Sequence, residues 1–345
     1  MILTPGFPTD EADTTCLPAF QQFALSVKNL YPAYQLIVLT FQYPFEKKEY
    51  NWHGIRVIAL GGSNRPFLNR FFIWINAYNT LRKIKRENVV AGLLSLWLTE
   101  CALVGKMFSK LNKVKHYMWL IGQDAKKSNQ YIKRLRPKGS EIIAMSDFLR
   151  EEFSKNHKEV PFMIAENGIV ESAFPPFNSG ERPIDILGVG SLIALKNYSL
   201  FIEIVSELKK RLPGLQVVIA GAGEEEARLK AQVNTLGLQH TIRFAGLLPH
   251  AAVFELMNTS KVFLHTSQYE GNSTVLMEAL YSGCYTFSTC PLSNAQTKHL
   301  SVLKTKDEFV AALLAQFQKP EQEYEHVVFN TMDASAKKIM ELFTC

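Results

Sequence analysis

The sequence is poor in the features that would set it apart from an ordinary globular chain. Only five cysteines occur in 345 residues, an odd number with no C-x-x-C pair. That argues against a disulfide framework or a structural zinc site and fits reduced thiols in the cytosol. No apolar run reaches the ~20 residues that a membrane span requires. The nearest, Val89 to Gly105, is broken by Glu100 and reads as a buried strand followed by a helix. Met1 is followed at once by Ile-Leu-Thr-Pro-Gly, with neither a basic leader nor a long apolar stretch, so no secretory signal is expected. A complete G-x-G-x-x-G is also missing. Gly188-Val189-Gly190 has Ile193 at the third glycine position, and Gly221-Ala222-Gly223 has Glu226 there, a negative side chain where a dinucleotide pyrophosphate would arrive. A nicotinamide-dependent dehydrogenase is therefore disfavoured.

What is present is ordinary composition, 47% hydrophobic and 20% charged, which excludes disorder, collagen and coiled coil as whole-chain readings. At roughly 150 residues per domain the length predicts two domains. The net charge of +6 is unevenly placed: residues 1–175 hold 23 Lys and Arg against 15 Asp and Glu, whereas residues 176–345 hold 15 against 17. The first half is thus suited to an anionic partner such as a membrane surface or a lipid phosphate, unless the surplus is only solvated surface charge. Nucleic acid is not expected, because the basic residues between Lys106 and Lys138 are not interleaved with aromatics.

Short apolar runs alternate with helical patterns along the whole chain, as in parallel sheets with crossover helices. In the first half, strands are expected near residues 1–4, 35–40, 54–59, 89–95, 116–121 and 141–145, with helices at 17–30, 67–87, 100–111, 129–135 and 147–156. Three prolines between Phe174 and Pro183 interrupt the pattern. It then restarts with strands near 184–189, 216–220, 241–244 and 261–266 and helices at 198–211, 224–236, 250–258 and 273–282. The expected division is 1–175, a linker at 176–183, and 184–327, with the apolar-periodic stretch near the end (328–345) packing back on the first domain. Phe67 to Tyr78, with Arg65, Arg70, Arg82, Lys83, Lys85 and Arg86 around it, offers either a lipid-docking face or, slightly preferred, the buried face of one long helix. His116, His250 and His265 stand alone in the sequence and read as structural histidines.

Open α/β sheets bind ligands outside the carboxyl ends of their strands. The loop beginning at Tyr269 follows an apolar strand and carries Glu270 and Gly271, and Asn272 or Ser273 is placed to cap the helix that follows. The N–H groups and dipole at that helix start suit a phosphate oxygen. Glu278 falls about 8 Å further along the axis at 1.5 Å per residue, so two carboxylates flank an anion site. Such a site suits an anionic nucleotide bearing hydroxyl pairs; two surface glutamates are the plainer alternative.

The segment from Val189 to Thr289 resembles the nucleotide-binding half of the group 1 (family 4) retaining glycosyltransferases, whose signature is E-x7-E. Glu270 and Glu278 match its spacing, as do Gly271 and the Glu-Ala-Leu-x-x-Gly ending at Gly283. Val218 to Glu224 and Arg243 to Gly246 resemble further family segments in the right order. Val189 to Asn197 matches V-G-R-x-x-x-x-K-G at Gly190 and Lys196, but Ser191 replaces the arginine. In the first half, Leu120 to Ala125 is similar to H-G-x-D, with Ile121 in place of histidine and Asp124 retained. Glu166-Asn167-Gly168 is similar to the closing x-N-G segment, whereas the glycine-rich acceptor loop near the start is replaced by the polar stretch Gly6 to Thr15.

The resemblance implies a GT-B fold, two Rossmann-like α/β domains facing a cleft. It also implies sugar transfer, with retention, from a nucleoside diphosphate sugar to a saccharide or lipid-linked acceptor, with UDP or GDP as the expected donor nucleotide. Lys196 would hold the diphosphate, with Ser191, Gly190, Gly221, Gly223 and the backbone amides of Ser273 and Thr274 lining its site. Glu270, Gly271 and Asn272 would meet the transferred sugar, and Glu278 the ribose. Asp124 and Asn167 would contribute from the first domain. With no D-x-D triplet, no metal and no other cofactor is expected. The implied location is cytoplasmic, with peripheral contact at an anionic inner membrane face. The alternatives are a catalytically silent sugar-nucleotide or glycan-binding homologue, suggested by Ser191 and Ile121, and a GT-B-like sugar-nucleotide epimerase.

Overall fold

The computed structural model describes residues 1–63, 67–292, 297–320 and 322–344, residues 67–69 by backbone alone. Arg65, grouped above with the basic residues near the long helix, lies outside the described residues. The chain forms two compact units, one of Met1–Gly168 with Asn330–Cys345 and one of Ile169–Phe329.

In chain order the first unit contains β1 (Ile2–Gly6), α1 (Pro18–Leu30), β2 (Ile37–Tyr43), β3 (Lys48–Trp52), β4 (Ile55–Ala59), α2 (Phe67–Glu87) and β5 (Leu93–Leu96). It continues with α3 (Glu100–Asn112), β6 (His116–Leu120), α4 (Ile132–Leu135), β7 (Ile142–Ala144), α5 (Asp147–His157) and β8 (Met163–Ile164). Its sheet has the order β3-β4-β2-β1-β5-β6-β7-β8, parallel except for the β3–β4 hairpin at one edge. The second unit contains β9 (Ile184–Val189), α6 (Tyr198–Lys209), β10 (Val217–Ala220), α7 (Glu226–Thr235), β11 (Ile242–Gly246), α8 (His250–Asn258), β12 (Ser260–His265), α9 (Thr274–Tyr281), β13 (Tyr285–Ser288), β14 (Leu300–Val302) and α10 (Lys306–Phe317). The chain then returns to the first unit as α11 (Met332–Met340).

The side-chain alternation of each strand builds the second unit's two-sided core. Ile186, Val217, Ile219, Val262 and Leu264 face α6, α7 and α10. Their neighbours Leu187, Val218 and Phe263 face α8 and α9. Strands buried on both faces are continuous apolar runs, which is why β9, β10 and β12 stand out in the sequence. In the first unit Leu3, Leu39, Phe41 and Leu93 pack under α2 and α3, and α11 packs against α1.

The division between units falls at Gly168, ahead of the proline-rich stretch. Phe174 stacks on Phe254 with ring centroids 4.0 Å apart, and the buried Arg182 donates to the carbonyls of Asn178, Met257, Ser260 and Ser282. Residues 176–183 are therefore bound into the second unit instead of hanging free. Gly168 lies against the returning chain, where a Cβ would meet the Thr331 backbone at 2.3 Å. The helix expected at 129–135 shortens to α4, because Asn129 turns its side chain to the carbonyls of Leu98 and Asp124 and thereby satisfies non-helical backbone. Phe71, Phe72 and Ile75 of α2 are exposed, whereas Ala77, Leu81 and Ile84 are buried. Ile73, Trp74 and Tyr78 pack, partly buried, on the same core as Ala77 and Leu81, so the helix buries one face from Ile73 onward, as the slightly preferred reading has it, and leaves Phe71, Phe72 and Ile75 on the other.

Candidate functional site

The second unit's sheet has the order β11-β10-β9-β12-β13-β14. Its first strand, β9, has β10 on one side and β12 on the other, so the connections diverge from the gap between the carboxyl ends of β9 and β12. That divergence is where doubly wound sheets place their ligands. Three loops meet there, following β9, β10 and β12.

The loop after β9 runs through Gly190 and the exposed Ser191 to a single 3-10 turn, Ala194–Lys196. It is sewn to the loop after β12: Gln268 N–H donates to the Leu195 carbonyl at 2.9 Å, and the Thr266 hydroxyl donates to the carbonyls of Lys196 and Asn197. This stitching brings the Lys196 ammonium to 2.5 Å from Glu270 Oε1. The same carboxylate oxygen receives His265 Nε2, 3.1 Å away, from the last position of β12. On the far side of the ring, His265 Nδ1 lies 3.0 Å from Ser288 Oγ on β13. Burial works against ionisation of Glu270, but the His265 hydrogen bond and the Lys196 charge outweigh it and hold the carboxyl down at about 2. A paired-carboxylate hydrolase needs one glutamate to keep its proton. With Lys196 and His265 on one oxygen, Glu270 is set up for the ionised form and does not suit that role.

Asn272 and Ser273 are buried at the start of α9, where Ser273 occupies the N-cap position without a side-chain cap bond, and Thr274 opens the helix. Glu278 is the fifth residue of α9 and is 7% exposed. Its Oε1 lies 2.8 Å from His250 Nε2, presented by the first residue of α8. Both glutamates of the E-x7-E pair therefore have a histidine against them. The sequence reading missed those partnerships, since it took His250 and His265 as structural. His265 did leave a signal, a polar residue ending an apolar strand five positions before Glu270. His250 left none, because it reaches Glu278 only through the packing of α8 beside α9.

The glycine-rich loops owe their glycines to each other. A Cβ on Gly221 would stand 1.9 Å from the Gly190 carbonyl oxygen, and one on Gly223 would stand 2.4 Å from that of Leu192. The loops are joined by Leu192 N–H to the Ala222 carbonyl and Glu225 N–H to the Leu192 carbonyl, both 2.9 Å. Gly221 and Gly223, expected to contact the ligand, are thus explained by the approach of the neighbouring loop, which they allow to sit flush at the site's edge.

Asp124 and Asn167 belong to the first unit. Asp124 is buried and turns inward, accepting the N–H groups of Leu98 at 2.9 Å and Gly122 at 2.7 Å, with Ile121 N–H further off at 3.3 Å. Burial pushes its carboxyl up to about 6 against the opposite pull of those donors. Through these contacts it braces the loop after β6. Asn167 is also buried, and its carbonyl accepts Asn330 Nδ2 at 3.1 Å. Among the described residues, no group of three or more His, Cys, Asp or Glu side chains is arranged to hold a metal ion, and no helix is long and apolar enough to cross a membrane.

Residues 170–296, which carry all three loops, match the family model for glycosyl transferases group 1. The chain carries a group 1 glycosyltransferase domain. It is 29% identical over 132 residues to a phosphatidylinositol N-acetylglucosaminyltransferase subunit of Arabidopsis thaliana, a match covering 37% of this chain and 29% of that protein. It is 24% identical over 156 residues to 2-deoxystreptamine N-acetyl-D-glucosaminyltransferase of Niallia circulans, covering 45% and 38% respectively. The matches span well under half the length of these glycosyltransferases. The structure of Anabaena HepE in complex with UDP and glucose is similar over 99% of this chain and 95% of that one, with a TM-score of 0.69 at 15% identity. The fold of the two units is that of the GT-B glycosyltransferases.

Proposed function

We propose that this protein transfers a sugar from a nucleoside diphosphate sugar to a saccharide or lipid-linked acceptor, with retention at the anomeric carbon and without a metal ion. The observation that carries the reading is the E-x7-E pair on either side of the α9 start, with Glu270 bound to Lys196 across the β9–β12 divergence. In this reading the α9 amides and Lys196 take the diphosphate, Glu278 accepts from the ribose hydroxyls, and Glu270 accepts from the transferred sugar. The bond broken joins the anomeric carbon to the diphosphate oxygen, and the bond formed joins that carbon to an acceptor hydroxyl, whose proton leaves with the diphosphate. The protein's part is positional and electrostatic. Ser191 supplies no charge, so phosphate stabilisation rests on Lys196 and the helix start.

UDP is the first nucleotide to test, since HepE was solved with UDP and glucose. The relatives' names make N-acetylglucosamine the first sugar. For the acceptor we favour one carried on an anionic membrane surface. The support is the basic excess of residues 1–175 and the exposed Phe71, Phe72 and Ile75 on α2. The test measures thermal stabilisation by UDP, GDP, ADP and CDP. A nucleotide at 100 times its dissociation constant should stabilise by about 2.7 kcal/mol, and Glu278→Ala should abolish most of that gain. No shift with any of the four would overturn the donor site. The anomeric configuration of the product, read by NMR, tests retention.

A further inference from the structure

We propose that His265 is a positioning residue that holds the Glu270 carboxylate in place while Lys196 leaves it for the donor's diphosphate. The inference rests on the reading of the site given above and adds a division of labour within it. Glu270 Oε1 is shared by Lys196 at 2.5 Å and His265 at 3.1 Å. The two donors differ in freedom. Lys196 ends a flexible stem on the loop after β9, and its side chain is 23% exposed. His265 is 4% exposed at the end of a central strand, its ring fixed from the far side by Ser288 Oγ. Ser288 Oγ also accepts the Cys290 N–H at 3.0 Å, and with its single hydroxyl proton turned to Nδ1 the ring keeps its own proton on Nε2, facing Glu270.

A diphosphate carries more negative charge than one carboxylate, so the mobile ammonium is the partner that moves. With UDP alone, which brings no sugar hydroxyl, Glu270, its side chain only 15% exposed, would then be a largely buried charge that has lost its cation, a costly state. His265 removes that difficulty because its Nε2–H stays on the oxygen when the lysine departs. Without His265, Glu270 keeps, among the described residues, Lys196 as its side-chain partner, and the ion pair competes directly with the ligand.

The experiment measures UDP affinity by calorimetry, and turnover, for the wild type, His265→Ala, and His265→Ala combined with Glu270→Gln. Loss of one hydrogen bond to a charged group should weaken UDP binding about tenfold in His265→Ala. The added Glu270→Gln should restore affinity to near wild type, because the competing charge is gone, while transfer stays lost. A merely structural histidine would give no such rescue. Unchanged UDP affinity in His265→Ala, or no recovery in the double variant, overturns the proposal. Should His265→Ala fail to fold, Ser288→Ala, which loosens the ring from its far side, is expected to show the same loss and rescue at smaller size. If the wild type binds none of the four nucleotides, the site reading falls and this inference with it. If the wild type binds UDP and the His265 variants bind it equally, only the inference fails.

Discussion

Glu270 keeps its charge because two donors surround one oxygen, and that makes the acid stability of the second unit a local matter. A carboxyl ordinarily near 4.5 and held at about 2 by the fold contributes stability above pH 4.5, and loses it as pH falls toward 2. At neutral pH the contribution is on the order of 3 kcal/mol, at about 1.4 kcal/mol for each tenfold gain in acidity. Glu270→Gln should therefore be less stable than the wild type at pH 7 in chemical denaturation, with the difference vanishing between pH 4.5 and 2. A difference constant with pH would show that the loss is one of packing. Asp124 runs the other way. Its carboxyl is raised from 3.8 to about 6, so its contribution is complete below pH 3.8 and is lost as pH rises through 6.

At the scale of elements, Arg182 ties a segment without regular structure to the second unit. It lies 1% exposed, with its guanidinium on four backbone carbonyls and the Tyr324 ring 4.1 Å from its centre. Arg182→Ala strands those carbonyls and opens a cavity, for an expected loss of about 3–5 kcal/mol in urea unfolding. Arg182→Lys should rescue little, since one ammonium cannot reproduce the planar fork. The proline content announced a break here, but nothing in the sequence shows a buried arginine closing it. The long central strands and amphipathic helices were legible because burial on one or two faces leaves a period. The edge strands β3 and β14 were not, being short or half-exposed, and neither was the four-residue β13 beside β14. The helix α10 has a readable start that apolar periodicity alone does not register. Thr305 and Glu308 form a capping box at its head. In the site, the paired glutamates were legible through their fixed spacing, whereas their histidine partners depend on which helices and strands come to lie side by side.

At the scale of the molecule, the charge asymmetry and the exposed Phe71, Phe72 and Ile75 of α2 lie in the same unit. If that unit meets an anionic membrane, the wild type should cosediment with vesicles containing phosphatidylserine. Replacing Phe71, Phe72 and Ile75 together by serine should reduce the bound fraction several-fold without altering UDP affinity. Raising the salt to about 0.5 M should act in the same direction, since screening shortens to a few ångströms. Equal binding by the triple variant would remove α2 from the membrane-facing surface. The return of the chain to the first unit has a further consequence, which concerns time. Residues 169–329 are contiguous, whereas α1 receives α11 only after residue 332 has been made. In synthesis from the amino end the second unit is therefore all made while the first still lacks a helix, and the unit started earlier is completed later.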